Sequence, residues 1–304
     1  MKTLENLKIL IFGSQGQLGK SLIHACKARG IQTLACDRSQ GNLENPEEIF
    51  RLIVKERPGV VFNAAAYTQV DRAETERDLA LTINAKSPQK MAQACVEVGA
   101  PLIHFSTDYV YSGTGERPWT EEDTIQPSNF YGHTKALGDQ WITEAHECKF
   151  LIFRTSWVYH AEGKNFFQSM LKLGREKETL RIVCDQIGSP TYAPFLAQTA
   201  LNSLEKALNL PQFPSGIYHA SNSGFTSWAG FAEEIFAQAK KAGTPLQIQT
   251  LVRVPSSEYP TPAKRPLNSR FNLTKLEASF GIHPPDWKES LRDCLLDYSR
   301  LEKL

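Results

Sequence analysis

No two cysteines fall in a C-x-x-C spacing: Cys26, Cys36, Cys95, Cys148, Cys184 and Cys294 are scattered through 304 residues. That argues against a disulfide framework or a zinc site and points to reduced thiols in a cytoplasmic protein. The seven histidines form no H-x-x-x-H or H-x-x-H group, so no structural metal is expected. An excess of one charge is also lacking. With 34 Lys+Arg against 33 Asp+Glu, the net charge of +1 leaves no broad basic field to hold nucleic acid. No apolar stretch approaches the length of a membrane span, and Glu5 and Asn6 interrupt any apolar core of a leader. Repeats and low-complexity tracts are missing too. What is present is the composition of a soluble globular protein, 41% hydrophobic and 22% charged, with material for one large or two ordinary domains.

Short apolar runs at 8–12, 32–36, 60–63, 102–106 and 150–154 predict strands. Helical patterns at 17–29, 78–98 and 131–145 lie among them. This alternation argues for parallel β-α units with helices on both faces. After Trp157 the rhythm loosens. Residues 162–176, 193–208 and 227–243 read as helices, 180–183 as a strand, and "VPSSEYPTPAKRPLNS" as an ordered proline-rich loop. The predicted fold is α/β: a Rossmann-type doubly wound parallel sheet with a smaller C-terminal α/β substrate domain. Residues 1–158 with 188–220 are expected in the nucleotide-binding domain, and 159–187 with 221–304 in the smaller one.

"GSQGQLGKSL" places Gly13, Gly16 and Gly19 between the first strand and the first helix. Bare backbone at that junction sets free N–H groups and a positive dipole end at one point, where a pyrophosphate fits; a tight turn is the bland alternative. Asp37 follows 24 residues after Gly13, where an acidic residue bonds ribose hydroxyls in the dinucleotide pattern. Within the loop Gln15, Gln17 and Leu18 join the glycines as cofactor candidates, and Arg38, Asn42 and Leu43 join Asp37. Ala64, Ala65 and Ala66 end the third strand with side chains too small to obstruct a ligand lying across the sheet edge. Asp37 favours NADH and Arg38 favours NADPH, so use of both cofactors is expected.

"STDYVY" ends the fourth strand, and "YGHTK" opens a helix beyond it. Tyr131 and Lys135 are four apart and share a helical face. A free phenol titrates near ~10, so an adjacent ammonium is expected to lower it towards acid–base use. Thr107 could add a hydroxyl to the same carbonyl oxygen.

Together these residues resemble the extended branch of the short-chain dehydrogenase/reductase superfamily. "NAAAYTQVDRAE", "STDYVYSGTGERPWTEEDTIQPSNFYGHTK", "FRTSWVY", "DQIGSPT", "GIYHAS" and "YPTPAKRPLNS" narrow the resemblance to the dTDP-4-dehydrorhamnose reductases, from Gly13 to about Leu295. The resemblance implies NAD(P)H-dependent reduction of the C4 ketone of a thymidine-diphospho-6-deoxy-hexulose. It implies Thr107, Tyr131 and Lys135 as the catalytic trio, with Tyr131 and Lys135 also at the cofactor. Thr68, Val70, Asp108, Tyr109 and Trp157 match positions lining the sugar pocket, although Trp157 alone would read as a core indole. Arg265 and Asn165 are candidates for substrate phosphate. Family members that pair through magnesium use carboxylates where this chain has Lys20-Ser21 and Tyr192-Ala193-Pro194, so no magnesium site and a monomer or weak homodimer are expected. Other readings are a reductase of another dTDP-deoxyhexulose or a non-catalytic subunit like the methionine adenosyltransferase β subunit. A sugar-nucleotide dehydratase would need Thr-Asp-Glu where this chain has Thr107-Asp108-Tyr109.

Overall fold

The strand Ile9–Phe12 (β1) is wholly buried, and its side chains part with period two. Ile9 and Ile11 enter one hydrophobic cluster, Leu10 and Phe12 another. A strand buried on both faces belongs inside a sheet covered on both sides. In the computed structural model, which describes residues 3–301, that is its place. β1 pairs in parallel with Thr33–Cys36 (β2) on one side and Val60–Asn63 (β3) on the other. Leu102–Thr107 (β4), Phe150–Thr155 (β5) and Gly216–His219 (β6) extend the parallel sheet in the order β2-β1-β3-β4-β5-β6. The chain leaves β1 to one side and returns for β3 on the other, which opens a crevice at the carboxyl edge between them.

On one face the helices Gln17–Ala28 and Ala193–Asn209 pack together through Leu18, Leu22, Leu196 and Ala200. On the other, Pro46–Glu56 and Ser87–Val98 meet through Ile49, Ile53, Met91 and Cys95. The helix Pro46–Glu56 was not among the sequence expectations, although its signals stand in the chain: proline in the first turn, acidic Glu47 and Glu48 beside it, and isoleucines four apart. The single helix expected over 78–98 is instead Arg77–Leu81, a π-helical turn Thr82–Lys86, and Ser87–Val98. Pro88 has no N–H for the carbonyl of Asn84 four residues back, so the regular ladder fails there.

Beyond the sheet, Thr179–Val183 pairs in parallel with Thr250–Val254, and Ile187–Gly188 lies between Thr226–Ser227 and Asn268–Ser269. The helices Phe166–Glu176, Trp228–Lys241 and Trp287–Leu301 enclose a third cluster around Phe167, Leu171, Phe231 and Leu291. The strand Thr250–Val254 and the helices Thr274–Phe280 and Trp287–Leu301 also lay outside the sequence expectations. Among the described residues no helix is long and apolar enough to cross a membrane.

The helix Phe130–Thr143 lies against the π-helical turn so closely that a Cβ on Gly138 would stand 2.2 Å from the Asn84 carbonyl oxygen. Gly138→Ala is therefore expected to destabilise the fold by about 1–3 kcal/mol, as overpacking does. Denaturant unfolding of the variant measures this, and an unchanged midpoint contradicts the close approach.

Candidate active site

The crevice between β1 and β3 is built from backbone. Gly13 has φ +80°, and the N–H groups of Gly13 and Ser14 both donate to the Cys36 carbonyl at 3.1 and 3.2 Å. A Cβ at Gly13 would lie 2.8 Å from the Ala64 carbonyl and the Ala65 nitrogen, so the turn and the loop after β3 touch where no side chain fits. The helix Gln17–Ala28 starts on Gly16 with no side-chain cap and no acid in its first turn. The helices that follow Asn129, Asn165 and Ser227 are each capped by those side chains. An uncapped N-terminus behind a glycine turn fits a pyrophosphate group.

Gly13, Asp37, Arg38, Asn42, Leu43, Ala65 and Ala66 line one cleft of about 370 Å³ there. Asp37 accepts from the Ser39 N–H at 2.8 Å and its hydroxyl at 2.6 Å, which holds its carboxyl below the usual range. Arg38 pairs with Glu44 at the rim. Arg72, which the sequence reading did not single out, lines the same cleft and pairs with Glu76. Within the glycine loop Gln15 is exposed, the Leu18 side chain belongs to the core, and Gln17 accepts from Asn165 at 2.9 Å. Ala64 packs beside that core.

Farther along the same sheet edge stands the second part of the site. Thr107 closes β4, and its hydroxyl donates to Asp108 Oδ1 at 3.1 Å. Asn129 caps the helix Phe130–Thr143 by accepting from the Gly132 N–H at 2.8 Å, which seats Tyr131 in the first turn. The Tyr131 phenol lies near the Thr107 hydroxyl, and its ring meets Tyr109 edge-on at 5.4 Å. Burial raises the phenol above its ordinary value; the neighbouring Thr107 hydroxyl opposes this, while Asp108 and Asp139 reinforce it. Lys135 is 1% exposed, with Nζ donating to the Phe105 carbonyl at 2.7 Å and lying 3.1 Å from His104 Nε2. Burial brings its ammonium down to about 8, against the pull of Asp139. The expected depression of Tyr131 by Lys135 is thus not what the structure shows. Both groups are stripped of water, so each is driven towards its neutral form.

The expected substrate residues divide. Asp108 and Tyr109 stand beside Tyr131. Asp108 is buried, accepts from Ser269 and Thr107, and is raised to about 6 by burial. Val70 packs into the cluster that contains Tyr131, whereas Thr68 lines the cleft with Asp37. Trp157 adopts φ +48° and stacks on Trp228 at 3.7 Å, with Gly188 leaving room beneath its ring. Asn165 is engaged within the chain: its Oδ1 caps the helix Phe166–Glu176, and its Nδ2 donates to Gln17, His160 and Glu162. Arg265 is not free either. It donates to Asp71 Oδ2 at 2.6 Å and to the Ala263 carbonyl at 3.1 Å. Asp71 also accepts from the Ala263 N–H, so the pair fastens the proline-rich loop to the segment after β3. These are partners 194 residues apart, which no local pattern reveals. Among the described residues no group of three His, Cys, Asp or Glu could hold a metal ion.

A doubly wound sheet with an uncapped glycine turn at one point of its edge and a Thr-Tyr-Lys set at another is the arrangement implied for the short-chain dehydrogenase/reductase class. The comparisons make the placement specific: residues 7–300 match the RmlD substrate binding domain family, and the chain belongs to it. The dTDP-4-dehydrorhamnose reductase of Escherichia coli (strain K12) is 43% identical over 293 residues, covering 95% of this chain and 97% of that protein. The crystal structure of dTDP-4-dehydrorhamnose reductase from Bacillus anthracis in complex with NADP superimposes with a TM-score of 0.88 at 35% identity, over 96% of this chain and 99% of that one. A Thermus thermophilus UDP-glucose 4-epimerase shares the fold, with a TM-score of 0.77 at 19% identity.

If Asp71 and Arg265 fasten the loop, Asp71→Ala should release it. Limited proteolysis is expected to cut within 256–266 several-fold faster in the variant; equal rates would show that the loop is held by other contacts.

Proposed function

We propose that the protein reduces the C4 ketone of dTDP-4-dehydro-L-rhamnose to dTDP-L-rhamnose with NADPH or NADH. The observation that carries this reading is the adjacency, at one sheet edge, of the glycine-turn cleft and the Thr107, Tyr131 and Lys135 side chains, in a chain of this family. In the bound state a reduced nicotinamide supplies the hydride. Gly13, Gly16 and Gly19 with the first turn of Gln17–Ala28 hold the pyrophosphate, and Asp37 with Arg38 meets the adenosine end. Asp108, Tyr109 and Trp157 line the sugar side. This assignment places the cofactor with residues 1–158 and 188–220, and the sugar nucleotide between them and residues 159–187 and 221–304.

The trio acts on the carbonyl oxygen. The desolvated phenol of Tyr131 stays protonated through neutral pH, which is the form that reduction requires, and its proton passes to the developing alkoxide. With substrate bound, the Thr107 hydroxyl turns from Asp108 to donate a second hydrogen bond to that oxygen. Lys135, anchored on the Phe105 carbonyl, faces the cofactor ribose.

The test is oxidation of NADPH and of NADH in the presence of dTDP-4-dehydrorhamnose generated in situ by the upstream enzymes. Turnover is expected with both cofactors, and Tyr131→Phe is expected to lower it at least ~100-fold, the scale of a lost general acid, with cofactor binding retained. Absence of turnover in the unaltered protein, with the cofactor bound, would favour a non-catalytic subunit. A variant that keeps more than a tenth of the rate would remove Tyr131 from its role.

A further inference from the structure

A stripe of four side chains borders the cleft beside Asp37, and the proposed reaction uses none of them. Arg72, Glu76, Leu79 and Ile83 all line it, at spacings of four, three and four residues. That is the repeat of one helical face, carried here by the successive turns Val70–Ala73, Arg77–Leu81 and Thr82–Lys86. The stripe is graded. Ile83 is buried and Leu79 packs on the same hydrophobic cluster, so one end is apolar. At the other end the Arg72 side chain is 61% exposed and pairs with Glu76.

The Arg72 guanidinium is held in one orientation. Nε donates to Glu76 Oε1 at 2.9 Å, Nη2 donates to the same oxygen, and Nη1 donates to Gln69 Oε1 at 3.0 Å. Glu76 is held in turn, because its Oε2 accepts from the Tyr67 hydroxyl. Tyr67 and Arg72 together keep the Glu76 carboxyl below the usual range, so it stays charged beside the guanidinium. All three nitrogens of Arg72 are therefore engaged, and its positive charge is matched. Such a group is a poor phosphate ligand, since phosphate needs free donors and unbalanced charge. What it still offers is a planar face, which stacks on aromatic rings. Arg38 differs: it meets Glu44 through Nη2 and has no second partner among the described residues.

We infer that Arg72 is a stacking platform for the adenine of the cofactor, its plane fixed by Glu76 and Gln69, with Leu79 and Ile83 as the apolar wall beside the base and any 2′-phosphate left to Arg38. The inference rests on the proposed dinucleotide cofactor and deepens it, because base and phosphate are met by different arginines. NADH and NADPH carry the same base. A contact through that base serves both and selects neither, whereas a contact through Arg38 favours NADPH.

Binding is measured by titrating NADPH and NADH into the protein without sugar nucleotide and following the emission of the bound nicotinamide. Arg72→Ala is expected to weaken both cofactors by the same factor, about 3–10-fold. Arg38→Ala is expected to weaken NADPH alone. A loss confined to NADPH in Arg72→Ala would make Arg72 a phosphate ligand, and no loss would place it outside the site; either result overturns the inference. Because Arg72→Ala also uncovers the Glu76 charge, the double variant Arg72→Ala/Glu76→Gln is titrated beside it. The same loss is expected there. Recovery of binding would show that repulsion by Glu76 was the whole effect, which also overturns the inference. If the unaltered protein binds neither dinucleotide, the cofactor reading and this inference fall together. Equal losses in a protein that binds both cofactors yet does not reduce the ketone would support the platform and count against the reductase activity alone.

Discussion

Two carbonyl oxygens set the position of the helix that carries Tyr131 and Lys135. A Cβ on Gly132 would lie 2.1 Å from the Tyr109 oxygen, and one on Gly138 would lie 2.2 Å from that of Asn84. The helix therefore rests directly on backbone at both points, closer than any side-chain spacer permits. The first contact locks Tyr131 against the end of β4, where Thr107 and Asp108 emerge. The second locks the next turn against the π-helical turn, where Asn84 also holds the Tyr67 N–H at 2.8 Å and the Thr134 hydroxyl at 3.1 Å. Asn84 thus joins the loop that lines the cleft beside Asp37 to the helix that carries Tyr131 and Lys135.

From that close seating follows the electrostatics. A helix pressed onto a strand excludes water from Tyr131, Lys135 and His104, and each shifts towards its neutral form. Neutral phenol is the state a reductase needs in its proton donor. A lysine bound to Phe105 and His104 is oriented by them rather than left as a mobile charge. The tyrosine–lysine spacing has its value here in geometry, with desolvation governing the charge.

Features that depend on neighbours in the chain were legible in the sequence: the glycine turn, the strand β3, and Tyr131 and Lys135 on one helical face. The cap by Asn165 was equally local, since an asparagine directly before an amphipathic run is a helix start, but the resemblance drew attention to phosphate instead. The helix Pro46–Glu56 also carries a local start signal, a proline followed by two acids in its first turn. Features that depend on juxtaposition were not legible. His104 stands in an apolar strand with nothing to mark it, and it acquires meaning only when the helix lays Lys135 across it. Arg265 looked available for phosphate because Asp71 reaches it only through the fold.

The proposed reduction is a direct transfer to a ketone carbon beside Tyr131. The most direct measurement uses NADPH carrying deuterium at the transferring position of nicotinamide C4, with dTDP-4-dehydrorhamnose as acceptor and NMR of the product. The account predicts deuterium at C4 of the rhamnose ring and at no other carbon, with the hydroxyl proton drawn from solvent. Deuterium at another ring carbon, or lost to water, would contradict it.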